Sequence, residues 1–75
     1  MSLEQLAGNV FEIEPGSITD ATSSTTLDRW DSLNHLALIS AVEETYDVVL
    51  STAEMREASS IAELRRILAT KGVAV

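Results

Sequence analysis

The sequence predicts an all-α fold, a small four-helix bundle with three longer helices, one short helix and a long first loop. Three observations carry that expectation. Apolar residues recur at helical spacing in three stretches, near the start, middle and end of the chain. Ser followed three residues later by Gln or Glu, the signature of a capped helix start, occurs at Ser2, Ser51 and Ser60. The one strand-like run, Val48-Val49-Leu50, is too short to stand without a partner strand.

The first helix is expected over residues 3 to about 12. Ser2 caps it, Gln5 closes the capping box, and Leu3, Leu6, Ala7, Val10 and Phe11 form one apolar stripe. Gly8 inside it costs about 1 kcal/mol relative to Ala. Pro15-Gly16 then punctuates the chain. Residues 17–26 are mostly Ser and Thr, whose side chains bond their own backbone and compete with helix. They read as an ordered, irregular loop anchored by Ile18, with a short helical turn near 24–28.

The second helix is expected over residues 32–46. Asp31 is its N-cap, because a carboxylate accepts bonds from the free amides of the first turn. Ser32 is then the first helical residue. Its hydroxyl is expected to be exposed beside the positive end of the helix dipole, where a phosphate ester is tolerated. Leu33, Leu36, Leu38, Ile39, Ala41, Val42 and Tyr46 leave little polar circumference, so this helix is expected to be the most buried. Asn34, His35, Ser40, Glu43 and Glu44 are left for solvent or partners.

Val48-Val49-Leu50 reads as an extended connection that inserts side chains into the core. Ser51 and Glu54 open a short third helix ending near residue 57. Ser60 and Glu63 open a fourth, with Ile61, Leu64, Ile67 and Leu68 on one face. Arg65 and Arg66 lie in its second half. Lys71 sits where the helix dipole favours a cation, Gly72 suits the C-terminal cap, and the last three residues are expected to fray.

Seventy-five residues allow one domain with one small core, spanning residues 1–75. No cysteine is present, so disulfides and thiolate metal sites are excluded, and any thiol chemistry needs an added group. Twelve acidic residues oppose five basic ones, for a net charge of −7. That argues against nucleic acid as a partner and favours proteins with basic docking surfaces. No apolar run is long enough to cross a membrane, and no signal-peptide pattern opens the chain. A cytoplasmic monomer is the expectation.

Asp31-Ser32-Leu33 at a helix start, in a small acidic chain, resembles the modification site of the acyl carrier protein family. The likeness extends along the chain. Ile18 falls where the family has an apolar residue opening its long loop, and Tyr46-Asp47 resembles the Phe-Asp closing its second helix. Leu50 falls on the apolar residue before helix three, and Ser59-Ser60-Ile61 on the polar-polar-apolar opening of helix four. The chain departs from the pattern at three places. Asp28-Arg29-Trp30 replaces a common Leu-Gly, with Trp30 supplying the packing. Asn34 and Ala37 stand where fatty-acid carriers have acidic residues, and Arg56 stands where an acid is common.

The resemblance implies a bundle of the acyl carrier type in which Ser32 carries 4′-phosphopantetheine, taken from coenzyme A by a phosphopantetheinyl transferase. Acyl intermediates of fatty acid or polyketide biosynthesis would ride on it as thioesters, placed there by a loading ligase or acyltransferase and passed to downstream biosynthetic enzymes. Asp31 and Leu33 would flank the cofactor. Leu33, Asn34, Leu36, Ala37, Glu43, Glu44 and Arg56 would form the docking face. The departures, and a chain beginning at Met1, point to a free-standing carrier of a specialised pathway. An aminoacyl or peptidyl carrier shares these features, and the reading from another class is an unmodified acidic helical interaction module. Leu36 reads as core and Leu33 as either core or contact surface. No catalytic residues and no metal site are expected, because His35 lacks a second ligand at metal spacing and nothing in the sequence orients it as a base for Ser32. It reads as a surface histidine.

Overall fold

A computed structural model describes all 75 residues. It contains four α-helices, α1 (Leu3–Phe11), α2 (Ser32–Tyr46), α3 (Thr52–Glu57) and α4 (Ile61–Thr70), with a 3₁₀ turn at Pro15–Ser17. There are no strands, only one isolated bridge between Ser23 and Ser60. The fold is the expected helical bundle, and the predicted helix limits hold to within a residue.

Each helix starts on a side-chain cap. Ser2 and Ser51 form complete capping boxes with Gln5 and Glu54. Ser60 accepts from the Glu63 amide, but the box expected there is only half made, because the Glu63 carboxylate pairs with Arg66 instead. Helices α1 and α2 end on left-handed residues that are not glycine, Glu12 at φ 58° and Asp47 at φ 54°. In both, the next amide reaches back five residues, Ile13 N–H to Gly8 O at 3.0 Å and Val48 N–H to Glu43 O at 3.2 Å. Helix α4 ends in a Schellman motif. Gly72 takes φ 82°, and Val73 N–H donates to Leu68 O at 3.0 Å. That turn folds the C-terminus back, so Val73 and Val75 pack on the core rather than fraying.

One core runs through the bundle. Leu3, Leu6, Ala7 and Phe11 of α1 meet Leu38, Ile39 and Val42 of α2 and Ile61, Leu64, Ile67 and Leu68 of α4. Ile18, Trp30, Leu50 and Ala58 close it from the connections. The expectation that α2 is the most buried helix is not met. Its apolar residues are spread around the axis, so only Leu38, Ile39 and Val42 are buried, whereas Leu33 and Leu36 are 77% and 58% exposed. Leu36 is therefore surface, not core.

The long loop is ordered by two sets of bonds. Ser and Thr side chains hold its own amides, as in Thr19 N–H to Thr22 Oγ1 at 2.9 Å and Ser23 N–H to Thr26 Oγ1 at 2.9 Å. Its carbonyls also satisfy the open start of α4, through Ile61 N–H to Thr22 O at 3.0 Å and Ala62 N–H to Asp20 O at 3.1 Å. The turn expected near 24–28 is a single one, in which Leu27 N–H reaches Ser23 O at 3.0 Å. It does not extend into a helix. The Tyr46 hydroxyl donates to Met1 O at 2.9 Å. Burial, then the nearby Glu4 carboxylate, push the Tyr46 pKa above its ordinary value.

Candidate functional site

The start of α2 is assembled by four contacts. Asp31 is extended, and its carboxylate accepts from Asn34 N–H at 2.8 Å. Asn34 returns its side-chain amide to Arg29 O at 2.8 Å, which clasps the incoming loop over the helix start. The Arg29 guanidinium faces Phe11 O at the end of α1. Between these, Trp30 is 3% exposed and packs on Phe11 with ring centroids 5.1 Å apart. Ser32 follows as the first residue of α2 and is exposed.

An open groove of about 590 Å³ runs beside Ser32. Trp30, Asp31, Ser32, His35 and Leu36 form one wall, Arg56 of α3 and Ser59 form another, and Ser24 of the long loop closes it. Asp31 is the only carboxylate among these residues, and its Oδ1 is engaged by the Asn34 amide.

His35 is not the free surface histidine expected from sequence. It is half-buried, and both ring nitrogens are engaged. Trp30 Nε1–H donates to Nδ1 at 3.0 Å, and Nε2 lies 2.7 Å from Met55 O. An indole N–H only donates and a carbonyl only accepts, so His35 is the neutral tautomer with its proton on Nε2. It links the Trp30 loop, α2 and α3 in one chain of bonds. Both nitrogens are engaged within the fold, and neither is open to Ser32.

The other residues assigned to the site separate into two groups. Leu33, Leu36, Ala37, Glu44 and Arg56 are exposed, and Leu33, Leu36 and Ala37 share one side of α2 by their spacing. Asn34 and Glu43 are half-buried and occupied internally. Asn34 holds the clasp, and the Glu43 carboxylate accepts from Leu50 N–H at 2.9 Å, tying down the connection after α2. Leu36, expected in the core, is exposed, and His35, expected at the surface, is half-buried. A signal for the second was present: His35, Leu38, Ile39, Val42 and Tyr46 follow one helical stripe, so the histidine belongs to the inward face.

The charges around the groove are uneven. Four of the five cations are paired: Arg29 with Glu12, Arg65 with Glu4 and Asp20, Arg66 with Glu63, and Lys71 with Glu54. Arg56, which lines the same groove as Ser32, has no such partner. No helix is long and apolar enough to cross a membrane.

Among solved structures, the chain is similar to the holo acyl carrier protein of Geobacter metallireducens, determined by solution NMR. The match has a TM-score of 0.76 and 29% sequence identity, over 92% of this chain and 84% of that one. No protein-family model matches the chain, and no curated protein matches it.

Proposed function

We propose that this chain, whose resemblance to the acyl carrier protein family extends from its helix-start motif to its whole fold, is a carrier of covalently bound acyl intermediates. The observation that carries the reading is the placement of Ser32. It is exposed, first in a helix capped by Asp31, and set at the edge of an open groove.

The residues present fit a 4′-phosphopantetheine arm on Ser32. The serine hydroxyl is accessible to a transferase. The helix start offers the favourable end of the dipole to a phosphate ester. The groove beside it is bordered by the Ser24 and Ser59 hydroxyls and the Arg56 guanidinium. In the proposed modification Ser32 Oγ forms a bond to the phosphorus of coenzyme A that carries pantetheine. The bond to 3′,5′-ADP breaks, and the hydroxyl proton passes to the transferase. When attached, the arm supplies the thiol that this cysteine-free chain lacks, and that thiol holds an acyl group as a thioester.

This chain's own part is to present and to dock. Asp31 fixes the helix start and the direction of Ser32. Leu33, Leu36 and Ala37 offer an apolar contact beside the serine, rimmed by Glu44 and Arg56. Transferase, loading ligase or acyltransferase, and downstream enzymes of a fatty acid or polyketide type would meet this face in turn, in the cytoplasm. Tethering raises the effective concentration of cargo at each partner's site without new contacts. The chemistry belongs to the partners.

Intact mass after incubation with coenzyme A and a broad-specificity phosphopantetheinyl transferase tests the proposal. The wild type is expected to gain one phosphopantetheine and Ser32→Ala none. A folded wild type that gains nothing, beside a control carrier that is modified, would sink it.

A further inference from the structure

We propose that Arg56 is the intramolecular partner of the phosphate ester carried on Ser32, so that the arm leaves the protein from a fixed anchor and not from a freely swivelling one. The inference rests on the carrier reading.

Three observations lead to it. Arg56 is the one cation of five with no carboxylate within salt-bridge distance. In a chain with twelve acidic residues that is a departure from what charge alone would produce. Its neighbour Glu57 lies outside salt-bridge distance of it. Arg56 also borders the same groove as Ser32, on the opposite element.

The element that bears Arg56 is held in place from two sides. Nε2–H of His35 on α2 donates to Met55 O at 2.7 Å, one residue before Arg56. Lys71, after α4, reaches Glu54 at 2.9 Å, two residues before it. Three-residue spacing puts His35 on the turn above Ser32, so the histidine that ties α3 to α2 lies one turn from the serine and bonds the residue before Arg56.

The charge balance selects the ligand. A phosphodiester on Ser32 adds a negative charge next to Asp28 and Asp31 in a chain already at −7. Asp31 is committed to capping, and Arg29, the other nearby cation, faces Glu12 and Phe11 O. Arg56 is the cation left to meet the phosphate, and a guanidinium fork suits phosphate oxygens. A carboxylate on a docking partner has the same chemistry, but it is present only during an encounter. A phosphate on Ser32 is present at the effective concentration of a tethered group.

The test uses apo and holo protein, with modification verified by mass, for wild type, Arg56→Ala and Arg66→Ala. In wild type, the side-chain Nε–H NMR signal of Arg56 is expected to shift between apo and holo, while that of Arg66 does not. Attachment of the arm is expected to raise the melting temperature by about 1 to 5 °C, the equivalent of one exposed ion pair in a domain this size. That rise should vanish in Arg56→Ala and in high salt, and persist in Arg66→Ala. Complete modification with an unmoved Arg56 signal and an equal rise in Arg56→Ala would overturn the inference while leaving the carrier reading intact. It would be overturned in favour of a partner carboxylate if Arg56→Ala changed only enzyme docking. A wild type that takes no arm would remove both proposals together. If Arg56→Ala is modified too slowly to complete, the wild-type NMR comparison decides alone.

Discussion

His35 does more for the site than its sequence position suggests. Its two nitrogens join an indole N–H on the loop to a backbone carbonyl on α3. Removing the ring leaves a donor and an acceptor without partners in a half-buried place, which costs about 1 to 3 kcal/mol. His35→Ala is expected to lose that much in urea unfolding followed by Trp30 emission, the single tryptophan being its own reporter. His35→Gln keeps one acceptor and one donor and should lose less. Equal losses in the two variants would show that ring packing, not the bond relay, is what matters. Gly8 gives a prediction of opposite sign to helix propensity. Propensity says Ala would gain about 1 kcal/mol there. A Cβ, however, would sit 2.9 Å from Ile13 O and 3.0 Å from the Pro15 ring. Gly8→Ala is therefore expected to destabilise by about 1 to 3 kcal/mol, the range of an overpacked site, read as a lower denaturation midpoint. The role of Gly8 was not legible along the chain. Gly8 is needed because the turn after α1 folds back on it, and that contact exists only in three dimensions. His35 was legible in principle from its stripe with Leu38, Ile39 and Val42, but a polar residue on an apolar stripe is easily read as an exception.

The start of α2 was legible as an element because local chemistry decides it. An N-cap acts within three residues, and Asp31 bonds the Asn34 amide as the sequence implies. This separates two properties of Asp31. Asp31→Asn keeps a good cap and should hold stability within a few tenths of a kcal/mol, whereas Asp31→Ala should lose about 1 kcal/mol. If the transferase reads the carboxylate itself, modification will slow in both variants. If it reads only the helix start, Asn will behave as wild type. Helix α3 depends on one pairing that the sequence announces and one that it does not. Its Glu54 closes the Ser51 box and also meets Lys71 from beyond α4. The Ser51 N–H bond, and then Lys71, hold the Glu54 carboxyl below the ordinary glutamate value of 4.5. A carboxylate depressed in the folded state contributes stability above its unfolded pKa and loses it as pH falls through the folded one. Wild type is therefore expected to lose stability below about pH 4.5 in a way that Glu54→Gln does not. Thermal melts from pH 7 to pH 3 measure it, and parallel slopes for the two proteins would refute the assignment.

The molecule divides α2 between folding and display. The residues that pack lie at Leu38, Ile39 and Val42, while Leu33 and Leu36 point outward although they are as apolar. The sequence showed which residues of α2 are hydrophobic but not which of them the other helices reach. With apolar residues nearly all round, the stripe that wins is set by where α1 and α4 can pack, and those helices are too few to cover a second side. The exposed leucines are thus left beside Ser32 by the geometry of a small bundle, and their cost in water calls for a use. This partition can be measured with two truncations of equal size. Leu38→Ala removes a fully buried side chain and is expected to cost about 2 to 5 kcal/mol. Leu36→Ala, two residues away, is expected to change stability by no more than about 0.5 kcal/mol. The same Leu36→Ala protein should then be modified or loaded more slowly by its enzymes, through a raised KM for the carrier rather than a lowered kcat. A large stability loss at Leu36 would mean that this side of α2 is covered in solution, and the display surface would have to be sought elsewhere.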